Sequence, residues 1–264
     1  MANDTRYLKE TFRLFGRRPL LYYAATFVPF LAVPLMLVLL GHAIRPLLTA
    51  GGHTGPVNPV EMWRSLGWTA RLSVILTFFL MASLAHAAIA SGIALLTWEE
   101  CEGRAPAALG LAAATCRRLL PLAALAFIID TGAFLGSLFL FVPGLWFASV
   151  TGFAIPAATV EKLGPLRALK RGFQLTRGRR IELFAIYSLT FVLFFALQTV
   201  QGIMPLTSVT SLVIRLLVLF VIILTLGLFL SILLTLLYRQ ARTEQETTGM
   251  RCHAGSAPMD RDVQ

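Results

Sequence analysis

The stretch Leu119–Val160, LLPLAALAFIIDTGAFLGSLFLFVPGLWFASVTGFAIPAATV, decides the fold of this chain. It is 42 residues long and carries one charged side chain, that of Asp130. A helix crosses a bilayer with about 20 apolar residues, so this run is too long for one span and long enough for two. Proline removes a backbone donor and glycine favours a turn, so Pro143 and Gly144 predict the break. The two predicted spans are Leu119–Phe141 and Leu145–Val160.

Four further runs are charge-free and long enough to cross a bilayer. The chain is 57% hydrophobic and 14% charged with a mean hydropathy of +0.75, which excludes a disordered chain and a nucleic-acid-binding domain. Core helices of soluble proteins average about 11 or 12 residues and carry a polar stripe, unlike these runs. We therefore predict an all-α integral membrane protein with six transmembrane helices in three hairpins. The other spans are Pro19–Gly41, Leu72–Trp98, Leu183–Met204 and Leu216–Tyr238.

The basic residues predict the orientation of these spans. Alternate connecting segments carry 19 Lys and Arg residues on one side of the membrane and 4 on the other. The positive-inside rule places the richer side in the cytoplasm, so both termini are predicted there. The net charge of +10 is thereby explained without a nucleic-acid partner. Residues 1–240 are predicted to form one membrane domain, and residues 241–264 a polar, disordered cytoplasmic tail.

Three arginine pairs precede the odd-numbered spans and indicate an internal repeat. FRLFGRRPLLYYA (Phe12–Ala24) aligns with FQLTRGRRIELFAIY (Phe173–Tyr187) after one insertion. The stretches before the pairs predict short juxtamembrane helices, two of them clearly amphipathic, with Leu166, Leu169 and Phe173 on the apolar face of one. Membrane lipids are accordingly the predicted partners, with other membrane proteins as a further possibility. The predicted headgroup contacts are Arg17, Arg18, Arg117, Arg118, Lys170, Arg171, Arg179 and Arg180.

One segment of about 45 residues, from Phe141 to Tyr187, carries a recognisable motif. Its order is Pro-Gly-Leu, an apolar span containing a proline, then Val-Glu-x-x-Gly-Pro-x-x-Ala-Leu-x-Arg and Leu-x-x-Gly. The motif resembles the membrane domain found with some bacterial glycerophosphoryl diester phosphodiesterases and related multi-span inner-membrane proteins, although that family often has serine where Gly172 stands. The resemblance implies a polytopic helical protein of a bacterial inner membrane. It does not imply phosphodiesterase activity, since this chain has no room for a soluble barrel and its acidic residues do not cluster. The matching positions are Pro143, Gly144, Pro156, Glu161, Gly164, Pro165, Ala168, Leu169, Arg171, Leu175 and Gly178.

Asp130 is the one formal charge inside a predicted span. A carboxylate near mid-bilayer costs a few kcal/mol unless it is paired or protonated, which marks it as a functional candidate. His86 lies at a similar depth, because the two residues stand 12 and 13 residues from the same membrane face. The pair is predicted to relay protons or hold a polar solute, or else to form a structural hydrogen bond. Gln198 and Gln201 complete the predicted intramembrane polar site.

Glycine spacing in the third span predicts a close helix contact. Gly132 and Gly136 form a GxxxG pattern, which lets two helix backbones approach each other. At 100° per residue they lie away from the face of Asp130, so the glycines and the carboxylate are expected to meet different neighbours.

Searches for catalytic and metal motifs give no candidate. The sequence has no GxxxxGK[ST], GxSxG or HExxH pattern, and no catalytic residue, metal or cofactor is predicted. The predicted function is therefore a non-enzymatic inner-membrane protein with an accessory or lipid-interacting role. The alternative is a small-solute or proton transporter that uses Asp130 and His86.

Overall fold

The computed structural model describes residues 4–26, 67–104, 108–203 and 209–255. Within these ranges the chain is helical and forms no strand. The helices in chain order are α1 (Asp4–Arg17), α2 (described over residues 19–26), α3 (Trp68–Cys101), α4 (Ala108–Arg117), α5 (Leu119–Phe139), α6 (Phe141–Thr151), α7 (Ala154–Val160), α8 (Pro165–Leu175), α9 (Arg180–Ile203) and α10 (Val209–Gly255).

Five segments of the described chain are helical, long and apolar enough to cross a membrane. They coincide with five of the six predicted spans, so the prediction of a helical protein with several membrane-length helices is confirmed. The predicted span Pro19–Gly41 is described only over residues 19–26, which are helical, and the rest of it lies outside the described residues. The five segments are Arg71–Cys101, Leu119–Phe139, Phe141–Val160, Arg180–Val200 and Val221–Thr247.

The turn between the predicted third and fourth spans lies at Leu140, not at Pro143 and Gly144 as the sequence predicts. Leu140 leaves the helical conformation, with φ −159° and ψ 139°. Pro143 then falls in the first turn of α6, where a missing N–H costs no helical hydrogen bond. Gly144 serves close packing instead, because a Cβ there would overlap the side chain of Ser137 on α5.

The two glycines of α5 face this same neighbour. A Cβ at Gly136 would lie 2.9 Å from the Cα of Gly144, and one at Gly132 would overlap the ring of Phe147. The predicted close approach is therefore confirmed, and α6 is the partner. Asp130 points to a different helix, as the predicted angle between the two faces requires.

The predicted fourth span is broken at Gly152 and Phe153, between α6 and α7. Pro156 lacks the N–H that would bond the Gly152 carbonyl four residues earlier, and its ring crowds that carbonyl. Near the same break, the carbonyl of Val150 accepts a hydrogen bond from the hydroxyl of Thr176 at 3.0 Å. Thr176 directly follows α8 and is fully buried, so this short helix is tied to the broken span.

Helix α8 contacts the bundle mainly through small residues. A Cβ at Gly172 would lie 3.0 Å from the Cα of Ala154, so the backbones of α7 and α8 nearly touch. Of the predicted apolar face, Leu169 and Phe173 are half-buried, whereas Leu166 is 73% exposed. The residues of α8 that are buried are Ala168, Gly172 and Leu175.

Helix α3 packs against α5, α7 and α10. Charged residues gather at one end of these helices, which we call the basic end. There Arg18 lies 4.0 Å from Glu100, and the guanidinium of Arg242 lies 5.6 Å from the centre of the Trp98 ring. Helix α10 continues through the basic end to Gly255, so residues 241–255 are helical where the sequence predicts a disordered tail.

Candidate functional site

His86 on α3 and Asp130 on α5 are in direct contact. The Nδ1 atom of His86 lies 2.9 Å from Oδ1 of Asp130, a hydrogen-bonding distance. The neighbouring Ala87 is fully buried in a cluster with Leu125 and Ile129, and this packing fixes the register of α3 against α5. The structure thus brings together the two ionisable groups that the sequence places at similar depth.

A cavity of about 160 Å³ opens beside this pair. Its walls come from α3, α5, α6, α7, α9 and α10 together with Gly152 at the break of the fourth span. Pockets for drug-sized ligands are about 300–1,000 Å³, so this one suits water, an ion or a small solute. The polar side chains in its wall are His86, Asp130, Thr151, Tyr187, Ser231 and Thr235.

The three aliphatic hydroxyls of the cavity wall are hydrogen-bonded within their own helices. Thr151 donates to the Phe147 carbonyl at 2.9 Å, and Thr235 donates to the Ser231 carbonyl at 2.8 Å. Ser231 donates in the same way to the Gly227 carbonyl at 2.8 Å. Because each hydrogen is already used, these oxygens remain available only as acceptors.

Tyr187 on α9 is a cavity residue that the sequence analysis does not single out. Its hydroxyl packs against the break, since a Cβ at Gly152 would lie 3.1 Å from it. A tyrosine inside a charge-free span was the available signal, because a buried phenol requires a hydrogen-bonding partner or a polar cavity.

The two glutamines of the predicted polar site do not join this cluster. Gln198 is half-buried on α9, 11 residues beyond Tyr187, which is about 16 Å along a helix axis. It is not among the residues that line the cavity. The side chain of Gln201 lies outside the part of the chain that the structure describes.

Three of the arginines predicted to contact lipid headgroups are paired within the protein at the basic end: Arg171, Arg179 and Arg18, which lies 4.0 Å from Glu100. The Nε atom of Arg171 lies 3.3 Å from both carboxylate oxygens of Glu161, and Tyr238 donates to Glu161 Oε1 at 2.6 Å. Arg179 donates to Glu244 at 2.7 Å, which joins the start of α9 to the extension of α10. These arginines therefore connect helices, whatever else they contact.

The remaining predicted headgroup residues vary in exposure. Arg17, Arg117 and Lys170 are exposed, whereas Arg118 and Arg180 are half-buried. Each arginine pair stands at the junction of two consecutive helices, at Arg18, Arg118 and Arg179. Their contact with lipid stays a prediction.

Fold and cavity together define the class: over the residues that the structure describes, this is an all-helical protein with several membrane-length helices and a small cavity that has six polar side chains in its wall. No family model, curated protein or solved structure matches the chain. The resemblance carried by Phe141–Tyr187 therefore stays a prediction.

Proposed function

We propose that this chain is a multi-pass membrane protein that moves protons or a small polar solute through the cavity at His86 and Asp130. The sequence alone ranks a non-enzymatic accessory role first and transport second. The cavity reverses that order, because a closed apolar bundle would give a solute no place to bind. The proposed role remains binding and movement without covalent chemistry.

The single observation that carries this proposal is the 2.9 Å contact of His86 with Asp130 at the wall of a cavity of about 160 Å³. An ionisable pair inside a span is costly and is typical of proton or substrate pathways. Tyr187 adds a hydroxyl that both donates and accepts, so three side chains of this cavity exchange hydrogen bonds with water or solute.

Proton flux into liposomes tests the proposal. The purified chain is reconstituted into vesicles that contain a pH-sensitive dye, and a valinomycin-clamped potassium gradient drives protons inward. We expect flux above that of empty vesicles, and loss of the excess in Asp130→Asn. Ser137→Ala on the same helix is the matched control, because Ser137 bonds only its own helix carbonyl, at 2.8 Å, and does not line the cavity. Equal flux in Asp130→Asn and the unaltered chain would rule out this pathway.

The proposed location is a bacterial inner membrane with six spans and the basic end in the cytoplasm. The asymmetry of 19 to 4 basic residues supports this orientation. Reporter fusions after Gly103, Gly172 and Gly249 are expected to report cytoplasm, and one after Gly55 periplasm. A periplasmic signal after Gly172 would reverse the orientation.

A second candidate, the accessory lipid-interacting role, is favoured by the outward face of α8. Leu166 is 73% exposed there, beside the exposed side chains of Arg167 and Lys170. An apolar side chain between cations suits the boundary between acyl chains and anionic headgroups. Nanodiscs with phosphatidylglycerol should stabilise the protein more than phosphatidylcholine discs, and Arg167→Gln with Lys170→Gln should remove the difference.

A further inference from the structure

The break between α6 and α7 leaves a backbone carbonyl without a helical donor in Gly152, a residue that lines the cavity. The carbonyl of Gly152 has no helical donor, because residue 156 is proline, and among the described residues it accepts no other hydrogen bond. Gly152 lines the cavity, and since glycine has no side chain, backbone atoms form its part of the wall. An unsatisfied carbonyl at membrane depth is tolerated where it faces a polar cavity.

The charged and polar oxygens of the cavity are the ligands that hard cations prefer. Asp130 supplies a carboxylate of which Oδ1 contacts His86, and no donor in the described chain engages its second oxygen. Thr151 supplies a hydroxyl oxygen whose hydrogen is bonded to Phe147. Carboxylate, hydroxyl and unwound-helix carbonyl oxygens together form cation sites in membrane proteins.

We infer that the cavity binds one monovalent alkali cation through Asp130, the Gly152 carbonyl and the Thr151 hydroxyl. This inference rests on the proposed function, since it names the ion that the pathway holds. A single carboxylate balances a single positive charge. A divalent ion would leave a net charge inside the bilayer, which is costly.

The ion competes with one proton. The titratable groups that face the cavity are His86 from α3, Asp130 from α5 and Tyr187 from α9, while α6, α7 and α10 contribute none. A proton and the cation each bring one positive charge to the same carboxylate oxygens, so the binding of one excludes the other. Apparent sodium affinity should therefore weaken by about tenfold per pH unit on acidification while one proton exchanges for one ion.

Thermal unfolding of the full chain in detergent measures this binding. Sodium chloride replaces choline chloride at constant ionic strength, so that only the identity of the cation changes. We expect a saturable rise of the unfolding midpoint with sodium, because a ligand that binds only the folded state stabilises it. The rise should disappear in Asp130→Asn.

Pro156→Ala isolates the backbone ligand. Alanine restores the N–H that bonds the Gly152 carbonyl and so removes that carbonyl from the ion, which should weaken the apparent sodium affinity about tenfold. Pro143→Ala is the matched control, because Pro143 lies in the first turn of α6 and outside the cavity, and it should leave sodium affinity unchanged. Pro156→Ala also keeps the inference testable if Asp130→Asn fails to elute as a folded protein in gel filtration.

The two proposals fail separately. If sodium and choline give the same midpoint, or if Pro156→Ala keeps full sodium affinity, the cation site is wrong. Proton flux measured in choline buffer then decides the rest. Flux that still depends on Asp130 leaves the proposed function standing, and flux equal to that of empty vesicles overturns both.

Discussion

Asp130 and Glu161 are both carboxylates at helix contacts, but their surroundings differ. Glu161 receives the Tyr238 hydroxyl at 2.6 Å and the Arg171 guanidinium at 3.3 Å, so both of its oxygens are engaged. Asp130 has His86 as a partner on one oxygen and a cavity beside it. The two carboxylates therefore suit different roles. A carboxylate with donors on both oxygens holds helices together, whereas one with a donor on a single oxygen can still bind a ligand through the other.

The largest effect on stability is expected from Glu161→Ala. Removing the carboxylate leaves Arg171, 28% exposed, and the hydroxyl of buried Tyr238 without their acceptor. Breaking such a pair should lower the free energy of unfolding by about 3 kcal/mol, measured by denaturant titration in detergent. Glu246→Ala is the control, because Glu246 is 55% exposed in its pair with Arg242 and should cost only about 0.5 kcal/mol. If both variants lower the free energy of unfolding equally, Glu161 has no special structural role.

Tyr238→Phe should have the next largest effect. It deletes the one hydroxyl that donates to the Glu161 carboxylate, a charge-assisted hydrogen bond worth about 1.5–2 kcal/mol. Tyr23→Phe removes a bond between neutral groups, to Thr225 at 3.3 Å, and should cost about half as much. Combining Tyr238→Phe with Glu161→Ala should cost less than the sum of the two single changes, and strict additivity would show that the two groups do not interact.

Asp130→Asn should lower the free energy of unfolding by less than about 1 kcal/mol, because the amide oxygen still accepts a hydrogen bond from His86. The same change should abolish proton flux. Loss of function with little loss of stability is the opposite of the pattern expected at Glu161. A stability loss as large as that of Glu161→Ala would make Asp130 a structural residue as well.

The smallest effect is expected from Lys170→Ala. Lys170 is exposed on α8 and forms no ion pair within the described chain, so the free energy of unfolding should change by no more than about 0.5 kcal/mol. Its neighbour Arg171→Ala should cost several times more, since Arg171 reaches Glu161 and, at 2.8 Å, Gln245. Similar values for the two variants would mean that the network at Glu161 contributes little to the fold.

The spans could be predicted because they depend on local properties. An apolar segment without charged residues transfers favourably into lipid, whichever helices it packs against. The positions of arginines likewise predict orientation without knowledge of the fold. The match in depth between His86 and Asp130 also follows from simple residue counting along antiparallel helices. These features require no knowledge of which side chains meet.

The remaining features depend on contacts between distant parts of the chain. The sequence around Gly144 predicts a turn. In the structure Gly144 instead allows close packing, because Ser137 on the facing helix lies where its Cβ would be. Arg171 reads as a lipid contact, because nothing near it in sequence shows that α8 folds back towards Glu161. Tyr187 is one polar residue among several in its span, and only the break at Gly152 places it beside a cavity.

The unbroken helix α10 has a mechanical consequence. Its 47 residues extend about 70 Å, and the same rod lines the cavity with Ser231 and carries Glu244 at the basic end. The helix has no break between Ser231 and Glu244. A tilt of about 10° around Arg239 would therefore move Gly255 by about 4 Å. A tilt of α10 at the cavity would therefore also displace the end of the helix at Gly255.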